Sequence, residues 1–367
     1  MKFTCNKNEL CNAIAHVMKG VSVKSTIPAL EGICVQMEQG AVTLTGYDLE
    51  IGIRTKIAAA CEEQFACVIS ARLFNEMCRR MTGDTITFEI DENLNARLSS
   101  DNTQCSISAM SADEFPALPV IESTTKTAVA QPLLRSMIQQ TSFAASVKED
   151  KPILTGLLFE SGDNNFYVVA MDRYRLAMRQ EMVSELGTFR FVIPKKALSE
   201  LIGMMKDDAE QPCEFSTNGK HIVFSVNGFE LFARLLEGQF HNFRSSIPAD
   251  ARTVVTLNTK DIMGCAERCA LFINDKNKAP MRCVFGSGAV EISCKTGIGE
   301  IHDRIPADID GESLTIGFSN KYLLEALRNC DADRIRLQMS GSNKVIKITP
   351  LEGESFVYLI MPIQLKG

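Results

Sequence analysis

A pattern that occurs three times at a spacing of 124 residues constrains the fold of this 367-residue chain more than any other feature. In each copy a short apolar segment leads into an amphipathic stretch, and the copies begin at Val68, Val192 and Ile316. The amphipathic stretches cover residues 71–81, 195–206 and 319–329. Repetition at a fixed period is typical of one structural unit used several times. We therefore predict three similar domains.

Two further features recur in nearly the same register. A short helix is predicted near the start of each copy, over residues 10–18, 133–144 and 259–270. A polar loop that leads through a proline or apolar residue into an apolar strand recurs over residues 25–30, 150–154 and 277–281. Three coincident features are hard to obtain by chance. We place the domains at 1–122, 123–250 and 251–367, with linkers near 119–126 and 248–253.

Between the predicted helices, apolar and polar residues alternate, as over residues 41–45 and 223–226. A period of two is typical of strands with one buried face, and Asn-Gly pairs such as Asn227-Gly228 favour tight hairpins. Each repeat is therefore expected to hold two helices and six or more strands. This composition predicts an α+β unit with its helices on one side of antiparallel sheets.

Composition narrows the class of protein. The chain is 45% hydrophobic and 23% charged, which is typical of a folded protein, and it has no apolar run long enough to span a bilayer. We therefore predict no membrane partner. The first ten residues carry Asn, Lys and Glu where a signal peptide needs an apolar stretch, so we expect a cytoplasmic protein. In a long chain of that compartment, thirteen cysteines predict free thiols rather than a disulfide framework.

We predict neither a cofactor nor a metal site. The sequence has no C-x-x-C motif, and Cys265 and Cys269 lie one helical turn apart among apolar neighbours, which favours small core residues over zinc ligands. No glycine-rich phosphate loop or nucleophile elbow is present. An enzyme that uses a carboxylate pair such as Asp48 and Glu50 is an alternative, but such residues are common in turns and at strand ends. We expect no enzymatic activity.

The second helix of each repeat has a basic face, although the whole chain carries a net charge of −6. Over the three segments 70–81, 194–206 and 319–329, eight Lys and Arg stand against three Glu, so the rest of the chain carries −11. The basic residues of these faces are Arg72, Arg79, Arg80, Lys195, Lys196, Lys206, Lys321 and Arg328. The apolar arc of the first helix is predicted to be Leu73, Phe74, Met77, Cys78 and Met81.

Three equivalent basic faces in an acidic chain favour convergence on a polyanion, while the remaining surface repels it. The alternative is that these are ordinary solvated helix faces. A loose basic lining is sufficient if the protein encloses DNA, and many fixed phosphate contacts would hinder sliding. The sequence has no helix-turn-helix signature, zinc finger or tryptophan, so we expect duplex DNA to be bound without sequence specificity.

The motifs resemble a known family over the whole chain. Residues 25–30 and 44–53 resemble the first domain of the bacterial DNA polymerase III beta clamp, and 113–116 are similar to its end. Residues 154–159 and 170–177 resemble strands of the second domain, and 358–363 resemble the terminal methionine-proline strand. The resemblance implies three DNA-clamp domains that form half of a ring, with helices inside and antiparallel sheets outside.

The resemblance also implies partners. Two subunits would join head to tail as a homodimer around duplex DNA. A clamp loader would place the ring on DNA, and DNA polymerases and other proteins with clamp-binding motifs would attach through short linear peptides. Leu271 and Phe272 of one subunit would meet the strand near Cys105 and the helix near Phe74 of the other. The alternative is that Leu271 and Phe272 are ordinary core at a helix end, and a repeat-built adaptor that binds no DNA is an alternative function.

Two groups of site residues follow from the resemblance. Loops that carry Lys24, Lys148 and Lys151 would face the duplex. The walls of the peptide cleft would be Leu154, Leu176, Ile247, Met361, Pro362 and Ile363. Its rim and floor would be Met171, Arg173, Tyr174, Arg175 and His241. The chain departs from the family pattern at three of these positions, because Arg173 replaces a small residue, Tyr174 a histidine and His241 a proline.

Overall fold

The computed structural model describes residues 1–122, 126–148, 150–184, 186–208, 210–273 and 279–365. The chain forms two compact units, of which the first is Met1–Leu134 with Lys196–Leu235 and the second is Arg135–Lys195 with Leu236–Gly367. The middle third of the chain therefore contributes to both units. The first predicted linker lies partly outside the described residues, as do Asn277 and Lys278 of the third polar loop.

The predicted α+β character is confirmed. The described residues form six α-helices: α1 Lys7–Val17, α2 Ala71–Arg80, α3 Gln131–Ser142, α4 Lys195–Met204, α5 Thr259–Ala270 and α6 Asn320–Arg328. All six were predicted, with ends that agree within three residues, and α5 has the predicted bounds. Side-chain caps begin α1, α5 and α6, because Asn6, Asn258 and Ser319 accept hydrogen bonds from backbone N–H groups of the first turn.

The strands of the described residues pair antiparallel throughout. In chain order they are β1 Lys2–Asn6, β2 Gly32–Glu38, β3 Ala41–Tyr47, β4 Ile51–Ala58, β5 Ala60–Cys61, β6 Phe65–Ser70, β7 Thr85–Ile90, β8 Asn95–Ser100, β9 Thr103–Ser108, β10 Met110–Ser111, β11 Thr127–Val129, β12 Gly156–Gly162, β13 Asn165–Met171, β14 Arg175–Met182, β15 Phe189–Pro194, β16 Cys213–Thr217, β17 His221–Val226, β18 Phe229–Arg234, β19 Thr253–Asn258, β20 Met281–Gly286, β21 Ala289–Thr296, β22 Gly299–Pro306, β23 Asp308–Gly311, β24 Leu314–Phe318, β25 Arg334–Met339, β26 Ile346–Pro350 and β27 Phe356–Ile360.

Each unit contains one large and one small sheet. The first unit has a nine-stranded sheet in the order β10-β6-β2-β3-β4-β18-β17-β16-β11 and a five-stranded sheet in the order β5-β1-β7-β8-β9. The second unit has a nine-stranded sheet in the order β15-β12-β13-β14-β27-β26-β25-β19-β23 and a four-stranded sheet in the order β22-β21-β20-β24. The pairs β4–β18 and β14–β27 join strands of neighbouring repeats. These backbone hydrogen bonds explain why the middle repeat is shared between the units.

The cysteines belong mainly to the core. All thirteen have free thiols, and Cys265 and Cys269 are fully buried, as their apolar neighbours predicted. Burial raises the pKa of the Cys265 thiol to about 11 and that of Cys269 to about 12. Since the thiolate is the reactive form of cysteine, both thiols are chemically quiet at neutral pH.

The predicted apolar arc of α2 needs correction. Phe74 and Cys78 are buried, but Leu73 is 50% exposed and Asn75 is buried. The buried stripe of this helix is Ala71, Phe74, Asn75 and Cys78, which follows the spacing i, i+3, i+4, i+7 of a core-facing helix. Leu73 lies beside that stripe, so the prediction that it is buried, which was based on its apolar side chain, is wrong.

No α-helix of the described residues is long and apolar enough to cross a membrane.

Candidate functional site

One apolar cluster of the second unit gathers several of the predicted cleft residues. We call it the Leu176 cluster: Leu176 lies in β14, pairs with Met171 of β13 and Leu359 of β27, and is buried. Leu154, Met171 and Ile247 pack against the cluster and are half-buried. Its buried members are Leu158, Val169, Leu176, Met178, Val192, Phe240, Phe243, Val357 and Leu359.

The turn between β13 and β14 fixes the rim of this cluster. The Oδ1 atom of Asp172 accepts the N–H of Tyr174 at 2.7 Å and the N–H of Arg175 at 3.0 Å, as in an Asx turn. The turn leaves the Tyr174 side chain exposed. The carbonyl oxygen of Tyr174 accepts the N–H of Met361 at 2.8 Å, so the segment after β27 is tied to the turn. Tyr174 and the half-exposed Met361 are therefore neighbours.

The chain then runs from Met361 to the edge of β24. The N–H of Ile363 donates to the carbonyl oxygen of Gly317 at 2.8 Å. A Cβ atom at position 317 would come within 2.5 Å of the Ile363 carbonyl oxygen, so this close approach requires glycine. The result is a short extended segment, Met361 to Ile363, whose apolar side chains remain partly exposed to solvent.

Arg175 is held rigidly beside the Leu176 cluster. Its side chain is only 8% exposed, and it forms ion pairs with Asp172, at 3.0 Å, and with Glu325 of α6. The guanidinium lies 4.5 Å from the ring centroid of Tyr322 and 5.6 Å from that of Phe143. Interactions with two carboxylates and two aromatic faces thus offset the free energy that the guanidinium loses when it is removed from water.

Lys195 was predicted to belong to an exposed basic face, and the structure contradicts this. The residue is half-buried, and burial lowers the pKa of its amine, as does the neighbouring positive charge of Arg175. Lys195 belongs to the second unit, as Arg175 does, and its side chain is partly shielded from solvent. Lys196, one residue later, is exposed.

Several residues near the Leu176 cluster and its rim were not found by the sequence analysis. Tyr322 stacks on Tyr174 with ring centroids 6.2 Å apart, and Glu325 pairs with Arg175. Arg244 lies over the rings of Tyr167 and Phe243, at 4.6 and 4.4 Å from their centroids. No local pattern marks these residues, because the contacts join positions that are far apart in sequence.

Two predicted rim residues are less closely tied to the cluster. Arg173 is exposed and forms an ion pair with the exposed Asp150, which immediately precedes Lys151. His241 is exposed and, in the part of the chain that the structure describes, is not a member of the Leu176 cluster, although Phe240 and Phe243 on either side of it are.

The predicted basic residues other than Lys195 are exposed. Three of them already have an acidic partner: Arg80 pairs with Glu76 at 2.7 Å, Lys196 with Asp48 at 2.7 Å and Arg328 with Glu267 at 3.1 Å. The other seven form no ion pair with any described residue, and they are Lys24, Arg72, Arg79, Lys148, Lys151, Lys206 and Lys321. These cations are available to an external anion.

The four residues of the predicted subunit contact differ in exposure, and one of them needs correction. Leu271, at the end of α5, is 74% exposed, so the alternative that it is ordinary core is wrong. Phe272 and Cys105 are half-buried. Phe74 is fully buried and packs edge-on against Phe88, so its side chain cannot reach a partner. The apolar side chain that α2 presents to solvent is Leu73.

Comparison with known proteins places the chain. Family models of the DNA polymerase III beta subunit match along its length, the N-terminal domain over residues 1–119, the central domain over 128–242 and the C-terminal domain over 244–364. The beta sliding clamp of Bacillus subtilis (strain 168) is 31% identical over 377 residues, which cover 99% of this chain and all of the relative. The chain belongs to the DNA polymerase III beta subunit family.

Further relatives agree with this placement. The beta sliding clamp of Halalkalibacterium halodurans is 29% identical over 99% of this chain and all of the relative. The crystal structure of the DNA polymerase sliding clamp from Bacillus subtilis superposes with a TM-score of 0.96 at 30% identity and covers all of both chains. The predicted resemblance and the three clamp domains of α+β structure are thus confirmed. The protein is a sliding clamp, a processivity factor and not an enzyme.

Proposed function

We propose that two copies of this chain close head to tail into a ring around duplex DNA and hold DNA polymerases there through short linear peptides. The observation that carries the proposal is the recurrence of exposed basic residues on α2, α4 and α6 of a chain whose net charge is −6. In this proposal 1–122, 123–250 and 251–367 are the three clamp domains, helices line the hole, and the protein acts in the cytoplasm.

The basic residues suit a protein that slides. Three of the cations have acidic partners in their own chain and can exchange them for phosphates at little net cost, whereas the seven others are available at once. Such contacts attract a polyanion without reading its sequence. A ring needs no stronger grip because its closure, rather than its affinity, prevents escape.

The Leu176 cluster and the segment Met361 to Ile363 provide the proposed peptide site. An apolar floor with a few fixed polar groups is the form expected of a groove that captures an extended peptide. Arg175 and Tyr174 would supply the polar rim. Because Tyr322 stacks on Tyr174, it belongs to the same proposed site.

The proposed subunit contact combines apolar side chains with two sheet edges. β9, which carries Cys105, is an edge strand of the first unit, and β22 is an edge strand of the second. A Cβ atom at Gly299 of β22 would come within 2.7 Å of the Phe272 ring, so Phe272 lies against that strand. An unpaired edge is a ready site for pairing with another chain. We propose that β22 with Leu271 and Phe272 of one subunit meets β9 and Leu73 of the other.

Retention on circular DNA tests the ring. The purified protein, loaded by a clamp loader with ATP onto nicked circular DNA, should stay bound at moderate salt and be lost once the circle is cut. Equal retention on circular and linear DNA would contradict enclosure.

A second experiment tests the dimer. Sedimentation should show a dimer, and Leu271→Asp should raise the dimer's dissociation constant at least about tenfold, since it places a charge in an apolar contact. Val120→Asp, at an apolar side chain that is exposed to the same extent as Leu271, is the control and should leave the dimer unchanged.

A further inference from the structure

Two loops of the chain have the same construction. The N–H of Ser22 donates to the carbonyl oxygen of Leu30 at 2.9 Å, and the N–H of Ser146 donates to that of Leu154 at 2.8 Å. The two pairs are offset by 124 residues, which is the repeat period. We call the segments 22–30 and 146–154 the Ser-Val-Lys loops, after the three residues with which both begin; residue 149 of the second loop lies outside the described residues. Both pass through proline into a short 3-10 helix.

Each loop exposes a valine next to a lysine. Val23 is 99% exposed and Val147 is 90% exposed, which makes them the two most exposed large apolar side chains of the described residues. Lys24 and Lys148 follow directly, and in the second loop the Ser146 hydroxyl oxygen accepts the N–H of Lys148 at 3.1 Å. Single apolar residues are common on protein surfaces. Here the same residue recurs at the same place in two repeats, on loops closed by the same backbone hydrogen bond from serine to leucine.

We propose that Val23 and Val147 contact the deoxyribose surface of duplex DNA while the adjacent lysines attract its phosphates. The inference rests on the proposed function, in which these loops face the duplex. Sugar C–H groups are alike at every nucleotide, and an apolar contact with them is non-directional. Such a contact adds affinity without reading sequence, and no hydrogen bond has to break when the protein moves along the DNA.

Salt dependence separates the two kinds of contact. Binding of the full-length protein to a linear duplex, whose free ends admit a ring, would be measured by fluorescence anisotropy over a range of NaCl concentrations. Val23→Thr/Val147→Thr keeps the side-chain shape but adds a hydroxyl. It should weaken binding about fivefold at every salt concentration. The logarithmic salt slope should not change, because the same phosphates remain neutralised.

Two variants complete the test. Lys24→Ala/Lys148→Ala should reduce the slope by about 0.9 for each phosphate that a lysine no longer neutralises. Val120→Thr changes an exposed valine outside the loops, 75% exposed, and should bind as the parent does. Thermal melting should show all variants folded, since the substituted side chains are exposed.

The outcomes distinguish this inference from the function on which it rests. The lysine variant could lower the slope while the valine variant binds as the parent does. In that case the proposal that the valines contact DNA is wrong, and the proposal that the loops face the duplex is retained. The inference also fails if the valine variant changes the slope, or if Val120→Thr weakens binding equally. If the parent protein shows no salt-dependent binding to the linear duplex, the valine contact fails, whereas the proposed ring fails only if circular and linear DNA retain the protein equally.

Discussion

The basic face of α2 and the surroundings of Arg175 use the same kind of residue in opposite ways. Arg72 and Arg79 are exposed and have no ion-pair partner among the described residues, whereas Arg175 is 8% exposed and lies between two carboxylates and two aromatic rings. The long side chain of an exposed, unpaired arginine can change conformation and so can pair with phosphates in many positions. A buried arginine with four partners holds one position and so defines the shape around it.

The difference matches the two tasks that we propose for this chain, holding DNA and binding partner peptides. DNA must be held without a preferred position, so loosely held charges are sufficient. A partner peptide must be recognised among many others, which requires a surface that keeps its shape. In this proposal one chain can carry out both tasks, because the residues assigned to them differ in burial rather than in type.

The largest expected effect comes from removing the buried cation. Arg175→Ala leaves Asp172 and Glu325 without their partner in a partly desolvated place, and we expect a loss of about 3 kcal/mol in the free energy of unfolding. Urea denaturation would measure it. Arg175→Lys should recover only part of the loss, because an ammonium group cannot make the planar contacts of a guanidinium.

Arg173→Ala is the matched control for that experiment. Arg173 also pairs with an aspartate, but both side chains are exposed, so the loss should stay below about 1 kcal/mol. If the two alanine variants were equally stable, the distinction between a rigid and a loose arginine would not hold for this protein.

The peptide site gives the next largest effect. Met361→Lys should weaken binding of a polymerase-derived clamp-binding peptide at least about tenfold, because it places a charge on the apolar wall. The dimer and the melting temperature should be unchanged, since Met361 is half-exposed. Met182→Lys is the control, at an exposed methionine that also lies in the second unit. Leu176 is less suited to this test because it is buried, and a charge there would damage the core.

How far the sequence predicted this molecule depends on which interactions define each feature. The helices follow from short-range periodicity, so all six were found, and the 124-residue repeat predicted three similar domains, which the family resemblance identified as clamp domains. The division of the middle repeat between two units was not predicted, because strand pairs such as β4–β18 depend on the tertiary fold. For the same reason Tyr322 and Glu325 were missed. Phe74 was misassigned because apolar character does not distinguish an interface residue from a core residue.

The loose basic surface should respond to mutation without any change in stability. Arg72→Ala/Arg79→Ala should lower affinity for a linear duplex about fivefold at low salt and reduce the salt slope by up to about 1.8, at about 0.9 per phosphate contact. The free energy of unfolding should change by less than about 0.5 kcal/mol, because both side chains are exposed. Anisotropy titrations and urea denaturation would measure the two quantities. A large loss of stability would mean that these arginines are structural.

The smallest effect is expected where a basic residue already has an acidic partner. Arg80 pairs with Glu76 on its own helix, so a phosphate must compete with that carboxylate, and Arg80→Ala should weaken duplex binding less than about twofold. Glu76→Gln removes the competitor and should strengthen binding, with a steeper salt slope, because Arg80 is then released to the DNA. The same anisotropy titration measures both variants. If Glu76→Gln left affinity and slope unchanged, then Arg80 would not face the duplex, and the basic face of α2 would be limited to Arg72 and Arg79.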